Sequence, residues 1–444
     1  MARFIPVDRE TQFLFPPSVQ EWLPEDHLAR FIVEIVEQLD LSQIERSYAG
    51  RGSDAHHPGM LVALLLYGYA TGTFSSRALE RASYDSIAFR YITANTHPDH
   101  DTINSFRKRF LKEIEAVFIQ VLCYAQAMGI LKLGSVSLDG TKVHANASRH
   151  SAMSYGYAKQ LEAKLKAEVA ELMARAEAAN AGEMPEGLNI PEELKRRETR
   201  LAAIAAAKEK IEARAKADAE AAHATKPAAR KKTGKAPRGR PPAPPAGTPE
   251  DKDQVNFTDE DSRIMPVAGG GFEQAYNAQA AVDIESLLVV AQAVTQAVND
   301  KQQVVPMLEQ LQALPEALGK VKTLIADAGF MSEGNVNACA QAGAEPLIAL
   351  GREPHHPSPL ERFAKPPALE ANPTALEAMR HRLKTQEGRA LYALRKCTVE
   401  PVFGLIKHVM KFRQFLLRGL TNVKGEWGLV CLAWNLKRIN ALRA

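Results

Sequence analysis

The sequence predicts an α/β fold: a mixed sheet with helices on its faces, preceded by an all-α region and interrupted by an antiparallel helical hairpin. Three observations carry that expectation. Apolar runs of strand length alternate with helical stretches over residues 276–350. Before residue 128 the apolar residues recur at helical spacing. Between 158 and 222 two apolar seams flank a segment holding Gly182, Pro185, Gly187 and Pro191, which divides one helix from the next. The domain reading is a helical N-terminal domain over 1–128, the first part of a core over 129–157, the helical hairpin over 158–222, a disordered basic, proline-rich linker over 223–253, and the rest of the core with C-terminal helices over 254–444.

Each element has a local reason. Leu28, Phe31, Ile32, Ile35 and Leu39 form one helical face. Pro58 suits the first position of an apolar helix, and Gly72 ends it. Ser75 or Ser76 can cap the next helix, and Asp101 or Thr102 a later one. That later helix carries Ile103, Phe106 and Phe110 inward and Arg107, Lys108 and Arg109 largely outward. Short helices, tight polar turns and a basic last helix suggest a helix-turn-helix-like module whose three basic residues meet DNA. The bland alternative is a helical domain with an exposed basic helix.

Residues 136–146 read as strand, turn and strand around Gly140. In the hairpin, Leu161, Leu165, Val169 and Leu172 share one face, and Leu194, Leu201, Ile204, Lys208 and Ile211 form the other seam. Near the C-terminus, Trp427, Val430 and Trp434 mark the apolar face of an amphipathic helix.

The net charge of +4 is mild, but the basic residues cluster in the middle and near the C-terminus. Such clusters imply an anionic partner, with nucleic acid foremost. In the linker, residues 237–241 resemble the AT-hook core, in which Arg238 and Arg240 would lie in a narrow minor groove. Four scattered cysteines argue against a zinc ribbon or a disulfide framework. The pairs His56–His57 and His355–His356 lack cysteines and a helical partner four residues away, so surface or structural roles are expected. No leader and no run long enough for a bilayer is visible, which predicts a soluble, cytoplasmic, nucleoid-associated protein without a membrane partner.

Three acidic residues stand out. Asp139 and Asp327 each end an apolar strand-like run, and Glu400 sits in a basic helical stretch. Singly, each reads as a turn or surface residue. Jointly, two strand-end aspartates and a glutamate can gather into the all-oxygen site that a hard divalent cation prefers. Two such ions can activate water or a DNA 3′-hydroxyl and stabilise the leaving oxygen of a phosphodiester. Lys407 lies two helical turns beyond Glu400 and Lys411 would continue that stripe, with Lys396 one turn before, a row suited to a phosphate backbone.

Several segments resemble the DDE transposases of bacterial insertion sequences. Residues 58–68, 75–80 and 98–107 are similar to that family's N-terminal domain. Leu138-Asp139-Gly140-Thr141 resembles its first-aspartate motif, Ala326-Asp327-Ala328-Gly329-Phe330 its second, and 399–407 its glutamate motif. Tyr392 and Arg395 match the first step of the family's Tyr/Arg/Glu/Lys spacing and Lys407 the last, whereas the step from Arg395 to Glu400 is one residue longer than the pattern and Lys396 would fit it. Asn299-Asp300 also resembles a recurrent element and makes Asp300 a rival second aspartate.

The resemblance implies an RNase H-like core with Asp139, Asp327 and Glu400 as catalytic residues and as ligands of two Mg²⁺ ions, replaceable by Mn²⁺. It also implies double-stranded DNA as partner, both terminal inverted repeats and target, a homodimer on that DNA, and no nucleotide cofactor. A metal-dependent nuclease of the same fold, or a DNA-binding protein without catalysis, are the competing readings.

Overall fold

The computed structural model describes residues 18–48, 55–178, 189–232, 247–267, 269–351, 368–369 and 372–443. The chain divides into two units, Met1–Val143 with Tyr276–Ala444, and His144–Ala275.

The first unit opens with helices α1 (Leu28–Gln38), α2 (Ser42–Arg46), α3 (Pro58–Thr71), α4 (Ser76–Asp85), α5 (Ile87–Ile92), α6 (His100–Arg109) and α7 (Leu111–Ala127). Pro58 opens α3, Gly72 closes it at φ 86°, and the Ser75 hydroxyl caps α4. The α6 cap differs from the expectation. Asp99 accepts from the N–H groups of Asp101 and Thr102, so the helix starts at His100.

Arg107 is a second correction. Ile103, Phe106 and Arg107 are spaced i, i+3, i+4 and share the buried face of α6, and Arg107 is 4% exposed rather than outward. Its guanidinium donates to the Tyr69 hydroxyl (3.1 Å) and the Phe74 carbonyl (2.9 Å). The Tyr69 hydroxyl in turn donates to Glu426 (2.8 Å), whose other oxygen accepts from the N–H groups of Leu416 and Leu417. Buried charge persists only with such partners, and the tertiary partners decided what the helical wheel left open. Lys108 and Arg109 are exposed, and Arg109 lies over the rings of Tyr48 and Phe110.

Strands β1 (Leu133–His144), β5 (Phe272–Asp283), β6 (Val289–Thr295), β7 (Gly319–Ala326) and β8 (Glu345–Ile348) form a mixed sheet in the order β6–β5–β1–β7–β8. The β5–β6 pair is antiparallel, and β1, β7 and β8 run parallel. Helices α10 (Val304–Gln312) and α11 (Glu333–Gln341) connect these strands. This mixed α/β arrangement, preceded by helices, is consistent with an RNase H-like domain. After β8 come α12 (Ala375–Lys384), α13 (Gln386–Ala393), α14 (Val399–His408) and α15 (Leu420–Leu442).

The final helix α15 is not amphipathic. Its residues from Val423 to Leu436 are almost continuously buried, because α3, α7 and β6 all pack on it. Its polar groups serve the sheet: Trp427 donates to the Gln279 carbonyl (3.0 Å), and Asn435 both accepts from and donates to the Val289 backbone (2.8 Å each).

In the second unit, β2 (Ala152–Ser154) pairs antiparallel with β3 (Gln254–Asn256), and β4 (Arg263–Pro266) pairs with the start of β5. Helices α8 (Tyr155–Ala178) and α9 (Ile190–Lys232) pack against each other. Ion pairs Glu162–Lys208 (2.7 Å) and Glu168–Arg197 (2.9 Å) run in opposite order along them. Lys208, a polar member of the apolar seam, is thereby satisfied. Helix α9 continues to Lys232, past residue 223 where composition suggested a linker.

Replacing Arg107 with Met should lower the unfolding free energy by about 3–5 kcal/mol, because buried Glu426 loses its counter-charge. Lys108→Ala should change it by less than ~0.5 kcal/mol. Urea denaturation compares the two; equal effects would mean that Arg107 is a surface residue.

Candidate active site

The parallel register of β1 and β7 sets Leu138 opposite Ala326. The residues that follow, Asp139 and Asp327, therefore stand at neighbouring positions. Asp327 caps a short 3-10 turn, accepting from the Gly329 N–H at 2.8 Å. Asp139 accepts from the Gly140 N–H at 2.8 Å, and its side chain is 17% exposed. Burial is the main force that pushes the Asp139 carboxyl up to about 7, joined by the charges of Asp327 and Asp300 and opposed by the Gly140 N–H and Arg395.

Glu400 is the second residue of α14, and Pro401 follows in the first turn, where a helix needs no N–H donor. One guanidinium joins Glu400 to the first aspartate: Arg395 lies 2.7 Å from Glu400 and 3.4 Å from Asp139. Tyr392 is close enough for Arg395 and Asp327 to act on its phenol, which burial pushes up. Arg395, whose spacing departs from the family pattern, thus touches two of the three carboxylates.

The lysine row is not one row. Lys407 points back to β1, donating to the Thr141 hydroxyl (2.6 Å) and the Lys142 carbonyl (2.8 Å), and burial pushes its ammonium down. Lys396 is exposed beside Arg395. Helix α14 ends at His408, and Lys411 follows with φ 64°, so it does not continue the helical stripe. Arg238, Arg240, His355 and His356 lie outside the described residues. His57 caps α3 by accepting from the Gly59 N–H, a structural role.

Gly140 is not a turn; β1 runs through it unbroken. A Cβ there would stand 2.2 Å from Gln279 Nε2, 2.5 Å from Asp300 Oδ1 and 2.9 Å from Asn277 Oδ1. Glycine inside a strand marks such close approach. Asn277, Gln279 and Lys142 escaped the sequence reading, and the misplaced glycine was the signal for them.

The donors here are carboxylate oxygens, the chemistry a hard divalent cation takes. Two carboxylates close enough to raise the pKa of one of them leave negative charge that such an ion would neutralise. Among the described residues no three carboxylate, histidine or cysteine side chains already stand close enough to hold an ion together. The fit is therefore one of donor type and charge, with Glu400 tied to Asp139 through Arg395.

Gly140→Ala should cost about 1–3 kcal/mol in chemical denaturation by overpacking; a neutral result would mean the polar side chains yield freely. Asp139 has a raised pKa in the folded state, so it removes stability as pH climbs from the ordinary carboxylate range to about 7. In EDTA, Asp139→Asn should raise the melting temperature at about pH 8 more than at about pH 4. An increment independent of pH would contradict this.

Among the described residues no helix is long and apolar enough to cross a membrane. No curated protein and no solved structure matches the chain. Residues 17–109 match a transposase domain family (DUF772), and residues 250–436 match the transposase DDE domain. Strand β7 with Asp327, and α14 with Glu400, fall inside the second match. Enzymes of this kind bind DNA, depend on a divalent metal, and cleave and transfer DNA strands. The chain belongs to the DDE transposases of insertion-sequence type.

Proposed function

We propose that this transposase nicks the ends of an insertion sequence and joins them to target DNA, with Asp139, Asp327 and Glu400 as catalytic residues and ligands of two Mg²⁺ ions, Mn²⁺ serving as a substitute. The observation that carries the reading is the β1–β7 register, which sets two carboxylates side by side, together with the guanidinium that links the first to Glu400. Bound there, divalent cations supply Lewis-acid stabilisation and an activated oxygen nucleophile.

The chain's own part is placement. Asp139 and Asp327 each directly follow a paired backbone position and Glu400 sits on a helix, so rigid elements hold their separation. Arg395 draws Glu400 toward Asp139 and balances their charge. In the first step water attacks the phosphorus at the element end and a 3′-hydroxyl leaves. In the second that hydroxyl attacks a target phosphodiester, one P–O bond forming as another breaks, so no nucleotide cofactor is consumed.

The N-terminal helices serve as a helix-turn-helix-like module that meets DNA through Lys108 and Arg109. Lys396 and Lys411, both exposed, contact phosphate, as do Arg238 and Arg240 in the basic segment. The engagement of Lys407 with Thr141 supports a positioning role in place of a phosphate contact. Helices α8 and α9 form a hairpin inserted in the core. Two ends must be joined, which calls for a homodimer on the terminal inverted repeats, acting on the nucleoid in the cytoplasm.

Asp139→Asn, Asp327→Asn and Glu400→Gln should each abolish cleavage and strand transfer of labelled element ends while DNA binding persists. Strand transfer by Asp139→Asn would refute the assignment. Deleting residues 226–240 should flatten the salt dependence of DNA binding, and an unchanged slope would remove that segment from the interface.

A further inference from the structure

Beside the carboxylates stands an ammonium that the proposed reaction leaves without a task. Lys142 follows Asp139 on β1, and its side chain is 17% exposed. Among the described residues its Nζ makes no hydrogen bond; the Asp300 carboxylate lies 3.9 Å away. Burial pushes the ammonium down, while the charges of Asp300 and Asp139 act to keep its proton.

Asp300 is itself firmly held. Its Oδ1 accepts from the side-chain amides of Asn277 (2.7 Å) and Gln279 (2.6 Å), two residues apart on β5. Asn277 also donates to the Ala297 carbonyl at 3.1 Å. Both amides turn their donors to this carboxylate although, among the described residues, their own carbonyl oxygens are then buried without a partner. Orphan acceptors cost about 1–3 kcal/mol each, so the carboxylate is fixed against a penalty. The backbone on either side is fixed as well: Trp427 holds the Gln279 carbonyl, and Lys407 holds that of Lys142.

A mostly buried ammonium with unused donors, next to catalytic carboxylates, offers a point charge to an anion. At 3.9 Å, Asp300 attracts that ammonium without consuming its donors. We propose that Lys142 binds a phosphate oxygen of the DNA strand being cut, and that Asp300, fixed by Asn277 and Gln279, is the positioning residue that aims it. The proposal rests on the catalytic reading of Asp139, Asp327 and Glu400.

The test uses the full chain and a fluorescein-labelled duplex from the boundary of the DNA flanking this reading frame. Binding is followed by anisotropy across a salt series in EDTA, so that no strand is cut. Lys142→Met should reduce the slope of log K against log salt by about 0.9, one phosphate's share. Lys142→Arg should keep the slope. Asp300→Asn should weaken binding in the parent but not in the Lys142→Met background, because the two act through one contact. An unchanged slope in folded Lys142→Met, judged by its melting curve, overturns the proposal. So do fully additive effects of Lys142→Met and Asp300→Asn. Should Lys142→Met not fold, Lys142→Arg decides: a retained slope supports the proposal and a lost one overturns it. Failure of the underlying reading shows separately, as cleavage by Asp139→Asn in Mg²⁺.

Discussion

The pairing of β1 with β7 is the constraint from which the site follows. Ser135 to Leu138 lie opposite Thr323 to Ala326, and Val136, Leu138, Leu324, Ile325 and Ala326 are fully buried. Leu324, Ile325 and Ala326 are consecutive and point to alternate faces, so the pair is buried on both sides, and packing on both sides locks the register. The carboxylates come one residue beyond the locked segment and inherit its precision. Hydrophobic packing thus holds two like charges together.

That arrangement is costly in isolation, and its neighbours offset the cost. Asp139 is mostly buried beside two other carboxylates and is pushed up to about 7. Arg395 and Lys142 bring positive charge, Arg395 to Asp139 and Glu400, Lys142 to Asp300. The site is a mixed cluster of carboxylates and cations, and its carboxylate oxygens are the donor type that a hard divalent cation takes.

The last helix links this chemistry to the N-terminal helices. Trp427 and Asn435 on α15 hold β5 and β6 by their backbones, and Glu426 on the same helix receives Tyr69 and, through it, Arg107. A single helix therefore supports both the strand that carries Asn277 and Gln279 and the bundle matched by the first transposase domain. Its near-complete burial is the physical reason it carries so few charges.

The order of elements from β5 onward and the capping of α3 and α4 were legible in the chain, because they depend on local spacing and on proline and glycine; Asp139, read as a strand end, lies in the middle of β1. Asp139 and Asp327 could be named as a pair, but their adjacency needed a parallel pairing across almost two hundred residues of intervening chain. Arg107 showed where local reasoning stops: its neighbours in sequence suggested a basic outer face, while Tyr69 and Glu426, far away in the chain, drew it inside. Gly140 looked like a turn because glycine is permissive; in the fold it is a strand residue whose missing side chain makes room for Gln279, Asn277 and Asp300. Short-range preference is written in neighbouring residues, whereas burial and charge pairing depend on distant ones, and no local pattern encodes which distant residue will arrive.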